Sequence, residues 1–168
     1  MENIYAPPFW QMALRGNNLA DDVPVDRWQI CHFFAPSNVH IEVGVALSGK
    51  GGYQADPEHK VSSIVVDFIT PETETSHWYF WGMARHFQPE NVELTAQIRE
   101  GQGKIFSEDL DMLEQQQQNL LRYPDRKLLM LNIDAGGVQA RKVIDRLISQ
   151  EQVNEIAGKD HIPSVTLG

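Results

Sequence analysis

Cys31 is the only cysteine in this 168-residue chain, which excludes an internal disulfide framework and any Cys-x-x-Cys metal site built by one chain. No Lys/Arg cluster exceeds a pair, and 14 basic residues stand against 23 acidic ones, for a formal net charge of −9. Such a balance repels phosphate backbones, so nucleic acid is not an expected partner. No apolar run approaches the roughly 20 residues that span a bilayer. The start, MENIYAPPFW, has no basic region followed by an apolar one; neither a membrane span nor a secretory signal is expected, and the cytoplasm is the expected compartment. There is also no G-x-S-x-G, no P-loop and no G-x-G-x-x-G opening a helix. Gly49-Lys-Gly-Gly reads as a hairpin loop, and no catalytic residue is assigned.

What is present fits one domain, long enough to bury about two thirds of its unfolded surface, with 42% hydrophobic and 22% charged residues. Residues 1–25 read as an irregular lead-in whose FWQMAL patch is too short for an independent helix and lies against something. Four strands are expected at 27–34, 39–48, 60–69 and 74–87. Cys31, on the first, reads as a small core residue. The second alternates Ile41, Val43, Val45 and Leu47 against His40, Glu42 and Gly44, so one side faces a core. The fourth carries large residues on both faces and is expected to be central and covered on both sides. From 92 to 123 the pattern is helical, and Gly101 and Gly103, each weaker than alanine by about 1 kcal/mol, mark an expected kink or break. Pro124 ends that helix. Val138, Val143, Ile144, Leu147 and Ile148 share a face of a last helix, with a frayed tail from Glu151. Antiparallel strands over 27–87 followed by helices over 90–150 make an α+β fold, a curved sheet wrapped around a long helix with a cavity between.

The stretch IFSEDLDMLEQQQQNLL, 105–121, raises the main question. At about 100° per residue, Ile105, Phe106, Met112, Leu113 and Leu120 fall within roughly 60° of Asp109. A carboxylate inside an apolar stripe must be paired, neutralised or bound to metal. Three readings stand: a pair with Arg85 or Lys104, or a wet stripe edge; a metal ligand; or a general acid or base. Asp67 poses the same puzzle on a strand, alternating with Val61, Ser63, Val65 and Ile69; it either lines a mostly apolar pocket or starts a turn. His40 and Glu42 share a strand face that reads as solvent-facing. His32 reads as a packing residue, His77 and His86 as lying on opposite strand faces, and His59 and His161 as solvated.

Four blocks then carry a resemblance: DRWQ at 26–29, TPETETSHWYFWGMARHF at 70–87, FSEDLDMLEQQQ at 106–117 and LNIDAGGVQARKVIDRL at 131–147. Together they resemble the C-terminal half of vanillate O-demethylase oxygenase subunits, within the Rieske-type non-haem iron aromatic oxygenases. The resemblance implies a helix-grip (START/Bet v1-like) catalytic domain, here incomplete, in which a 2-His-1-carboxylate triad holds mononuclear Fe(II). Asp109 is similar in position to the family's carboxylate ligand. Ile105, one turn earlier, would line the pocket, and Asp67 would be a polar substrate contact.

The family's [2Fe-2S] Rieske cluster needs C-x-H and C-x-x-H pairs, and its two iron histidines an N/D-x-x-H-x-x-x-x-H stretch; this chain has neither. The expectation is therefore a truncated or split C-terminal portion without a Rieske domain, holding at most one iron ligand, binding no cofactor and inactive alone. The intact enzyme would hydroxylate or O-demethylate a methoxylated or otherwise substituted aromatic acid, with O₂ and NAD(P)H-derived electrons delivered by a reductase. The rivals are a metal-free helix-grip module for an aromatic ligand, and an interaction subunit that assembles with an oxygenase chain or as a homo-oligomer.

Overall fold

The computed structural model describes residues 1–156; His161 lies outside them. The chain's Cα positions cluster into two compact units, one of Met1–Arg126 and one that begins at Lys127.

The first unit is built on a five-stranded, unclosed antiparallel sheet in the order β1-β2-β3-β4-β5. Its strands are β1 (Ile4–Tyr5), β2 (Pro24–Phe34), β3 (Asn38–Leu47), β4 (Lys60–Pro71) and β5 (His77–Arg85). Each lies beside its predecessor, the usual arrangement for consecutive antiparallel strands, although the β1–β2 connection is long. The β3–β4 connection begins with Gly49 and Gly51 at φ of 75° and 98°, values that glycine adopts without a Cβ clash.

The lead-in is not irregular. It contains β1 and α1 (Pro8–Gly16), a nine-residue helix opened by a proline whose fixed φ suits the first turn. The FWQMAL patch becomes a helix by packing: Trp10, Ala13 and Leu14 are buried with Val25, Val45, Val61 and Phe87. Tertiary burial stabilises a helix too short to persist alone.

α2 (Val92–Glu108) begins at Asn91, whose side chain accepts from the Leu94 N–H at 2.9 Å. It adds Leu94 and Ile98 to the same core. The sheet's inner face thus carries α1 and α2, an arrangement consistent with a helix grip. The core occupies the end of that face near Val25, Val45 and Val61.

Three expectations change here. Cys31, read as a core residue, is exposed, because it sits on β2 opposite Ile41, toward the other end of the sheet from this core. β5, read as central, is the edge strand, and Trp78 and Phe80 on its outer face are exposed. The helical break falls at Asp109, before α3 (Leu110–Arg122), while Gly101 and Gly103 lie within α2.

The second unit contains α4 (Ala135–Ile156), which runs past the expected fraying point at Glu151. Val138, Val143, Ile144 and Leu147 are half-buried and Ile148 is exposed. No helix among the described residues is long and apolar enough to cross a membrane.

Candidate functional site

Strand alternation places Val61, Ser63, Val65, Asp67 and Ile69 of β4 on the inner face. On β5 the same face carries Tyr79, Trp81, Met83 and Arg85, set by the pairs Ser63–Arg85, Val65–Met83, Asp67–Trp81 and Ile69–Tyr79. On the other side of Asp67 stands Val39 of β3. From α2, Phe106 meets the Tyr79 ring edge-on, with centroids 5.5 Å apart, and the Trp81 ring at 5.4 Å. Aromatic pairs of this geometry add about 0.5–1.5 kcal/mol beyond the area they bury.

Asp67 is 4% exposed beside this aromatic wall, and its Oδ1 is buried with no hydrogen-bond partner among the described residues. Burial first, and then the nearby Asp67 carboxylate, push the Tyr79 phenol pKa well above its ordinary value. A carboxylate oxygen left without a donor costs about 1–3 kcal/mol. Ser63 Oγ is likewise buried and unpartnered, but four residues along a strand is roughly 13 Å, so the two do not share one donor.

Arg85, the inner-face cation of β5, is engaged away from Asp67 through its Nε and Nη2. Its Nε donates to Phe87 O at 3.1 Å, and its Nη2 donates to Gln88 O, Asn91 O and Thr95 Oγ1 at 3.1, 3.0 and 2.8 Å. It pairs with no carboxylate, neither Asp67 nor Asp109.

Asp109, expected to point inward from mid-helix, is exposed. It is the single residue joining α2 to α3, and its side chain makes no cap bond. Aspartate is a weak interior helix former and suits such a joint. Ile105 is 52% exposed, and Met112, Leu113 and Leu120 share that condition, whereas Phe106 of the same stripe is half-buried. Periodicity identifies which face is apolar, not what covers it. Asp67 is thus brought together with Tyr79, Trp81 and Phe106, and neither Ile105 nor Asp109 is buried with it. The roles of Tyr79 and Trp81 escaped the sequence reading, although the alternation of β5 already sets them on the face that Asp67 shares.

Among the described residues the histidines assemble no centre. His32 Nε2 meets Glu42 Oε1 at 3.2 Å with both side chains nearly half exposed, and the His40 ring packs 4.5 Å from that of Phe34. His59 pairs with its neighbour Glu58 at 3.4 Å. Among the described residues, no three His, Cys, Asp or Glu side chains converge to hold a metal ion.

Comparison with known proteins places this geometry in a family. Residues 1–150 match the model of the vanillate O-demethylase oxygenase C-terminal domain. The chain is 72% identical over 152 residues to the vanillate O-demethylase oxygenase subunit of Pseudomonas sp. (strain HR199 / DSM 7063), covering 90% of this chain and 43% of that protein. It is also 72% identical over 155 residues to the subunit of the same description from Pseudomonas sp. (strain ATCC 19151), covering 92% and 47%. The iron-sulfur subunit of a toluene-4-sulfonate monooxygenase system from Comamonas testosteroni is 35% identical, over 75% of this chain and 37% of its own. The chain therefore spans less than half the length of these relatives. No solved structure matches it at a significant level. The 150 matched residues contain the whole sheet, α2, α3 and most of α4, and the chain belongs to the vanillate O-demethylase oxygenase C-terminal domain family.

Proposed function

We propose that this chain is the substrate-binding C-terminal portion of a terminal aromatic oxygenase or O-demethylase, built on a START/Bet v1-type helix grip. In the whole enzyme it would receive a methoxylated or otherwise substituted aromatic acid on the inner face of the sheet. The observation that carries this reading is the 72% identity to vanillate O-demethylase oxygenase subunits over nine tenths of the chain. The buried Asp67 beside Tyr79, Trp81 and Phe106 supports it, since ligand pockets pair apolar walls with a few oriented polar groups.

The family's mononuclear iron calls for three ligands in fixed geometry, and a lone carboxylate does not retain Fe(II). The described residues of this chain do not fit that group on their own: Asp109 is one exposed carboxylate with no converging ligands. We assign Asp109 as the carboxylate ligand of the intact family site, with Ile105 lining the pocket and Asp67 as a polar contact. The two histidines, the [2Fe-2S] cluster and the reductase that passes on NAD(P)H-derived electrons belong to the rest of that assembly. What this chain itself supplies is an apolar, aromatic surface that excludes water, and a carboxylate that orients the ligand.

The test is a chimera in which this chain replaces the matched C-terminal region of the Pseudomonas oxygenase subunit. It should demethylate vanillate with the cognate reductase, and Asp109→Ala should lower its mononuclear iron to about a tenth or less. A folded chimera with intact Rieske absorbance and no turnover refutes the oxygenase reading; iron retained in the Asp109 variant refutes the ligand assignment.

A second reading, assembly through β5, is supported by that strand's free edge. Nine residues long, it carries no charge between His77 and Arg85, and such an edge invites pairing with another strand. A monomeric native mass for the isolated chain would count against homo-oligomer formation.

A further inference from the structure

The orphaned oxygen of Asp67 defines the kind of group it can receive. An ionised carboxylate only accepts hydrogen bonds, so the complement of Oδ1 is a donor. The described inner face of the sheet offers two cations. Arg85 is engaged by three carbonyls and the Thr95 hydroxyl, and Arg27 lies in the row of Val45 and Val61, six residues along β4 from Asp67. Neither serves Oδ1.

The donor count narrows the choice further. An ammonium group brings three N–H donors to one free acceptor and would leave the others dry against Trp81 and Phe106, a desolvation cost without return. A ring hydroxyl brings one donor. The β4–β5 register already sets the Tyr79 phenol diagonally beside Asp67 on the same face, so a second phenol is a group that this surface accommodates. A carboxylate or sulfonate at this point would meet like charge.

We infer that Asp67 is a specificity-determining residue that reads a ring hydroxyl: its Oδ1 accepts the O–H of an aromatic ligand, whose anionic end is turned away from β4. This deepens the proposed function, and rests on its reading of the inner face as the aromatic site.

The experiment titrates the purified 168-residue chain, by calorimetry, with 4-hydroxy-3-methoxybenzoate and with 3,4-dimethoxybenzoate. The two differ by O–H against O–CH₃. The hydroxylated acid should bind about tenfold or more tightly, the range expected for a hydrogen bond to a charged acceptor. In Asp67→Leu that preference should fall to within about twofold. Leu removes the buried unpartnered oxygen but adds the bulk of two methyl groups, so circular dichroism and urea unfolding check that the variant is folded, and the near-isosteric Asn provides the second variant. Asp67→Asn, which retains a weaker acceptor, should show an intermediate preference.

Equal binding of both acids to the wild-type chain overturns the hydroxyl assignment and leaves the aromatic site standing. A preference that survives in Asp67→Leu shows that another group reads the hydroxyl, which also overturns it. Tighter binding of 3-methoxybenzylamine than of the hydroxylated acid would make the recognised donor a cation, against the inference. Millimolar failure of every aromatic ligand removes the inner-face site itself, and the inference with it.

Discussion

The Arg85 guanidinium on β5 donates to the Thr95 hydroxyl on α2 at 2.8 Å, tying the last strand of the sheet to the first turns of the helix that carries Phe106. The same side chain also satisfies carbonyls of Phe87, Gln88 and Asn91. It fixes the angle at which α2 leaves the sheet. Arg85→Ala should destabilise the chain by about 2–3 kcal/mol, read as a lower urea midpoint. Arg85→Lys should recover little, because an ammonium lacks the planar fork that reaches several acceptors at once.

Asp26 accepts from the Asn3 N–H at 3.0 Å, the Gly49 N–H at 3.0 Å and the Ser48 hydroxyl at 3.2 Å. The backbone donors, Asn3 first and Gly49 next, hold its carboxyl below the ordinary carboxylate pKa. A depressed folded value contributes stability that is present above the unfolded pKa of about 3.9 and lost as pH falls through the folded one. Asp26→Ala should therefore cost about 1 kcal/mol at neutral pH. The difference in midpoint from wild type should persist down to about pH 4 and shrink below it.

Tyr79 offers the opposite sign. Burial and the Asp67 carboxylate raise its pKa, so the contribution is complete below the unfolded value of about 10 and is lost only as pH rises through the higher folded value. In an ultraviolet titration, Tyr79→Phe should remove tyrosinate absorbance that develops only above about pH 10. Asp67→Asn should move that phase to lower pH. An unchanged titration curve in both variants would show that the two groups are not in contact.

Gly44 lies on the outer face of β3 directly opposite Trp28. A Cβ there would run into the Trp28 ring and come within 2.7 Å of the Val61 carbonyl oxygen. Because backbone cannot withdraw as a flexible side chain can, Gly44→Ala should cost about 2–3 kcal/mol. Circular dichroism with urea unfolding measures it, and an undiminished midpoint would mean that the sheet tolerates the extra atom.

Much of the sheet was legible because strand periodicity is a local property. The alternation of Ile41, Val43, Val45 and Leu47 already separates the faces of β3, and Val61, Ser63, Val65 and Asp67 place a carboxylate among apolar neighbours on β4. The four main strands fall within a few residues of their expected positions. α1 was not legible as a helix, since Trp10 and Leu14 are held by partners distant in the chain.

Composition and pattern by themselves determined the antiparallel strands, the helical second half, the unusual standing of Asp67 and Asp109, and, through four blocks of residues, the family. Only the tertiary structure decided which of those two carboxylates is buried. Residue 67 lies between neighbouring strands and under an aromatic wall, whereas residue 109 falls at a helix joint that nothing described here covers. A helical or strand period reports the direction a side chain takes from its own backbone; burial depends on what other segments bring to that side.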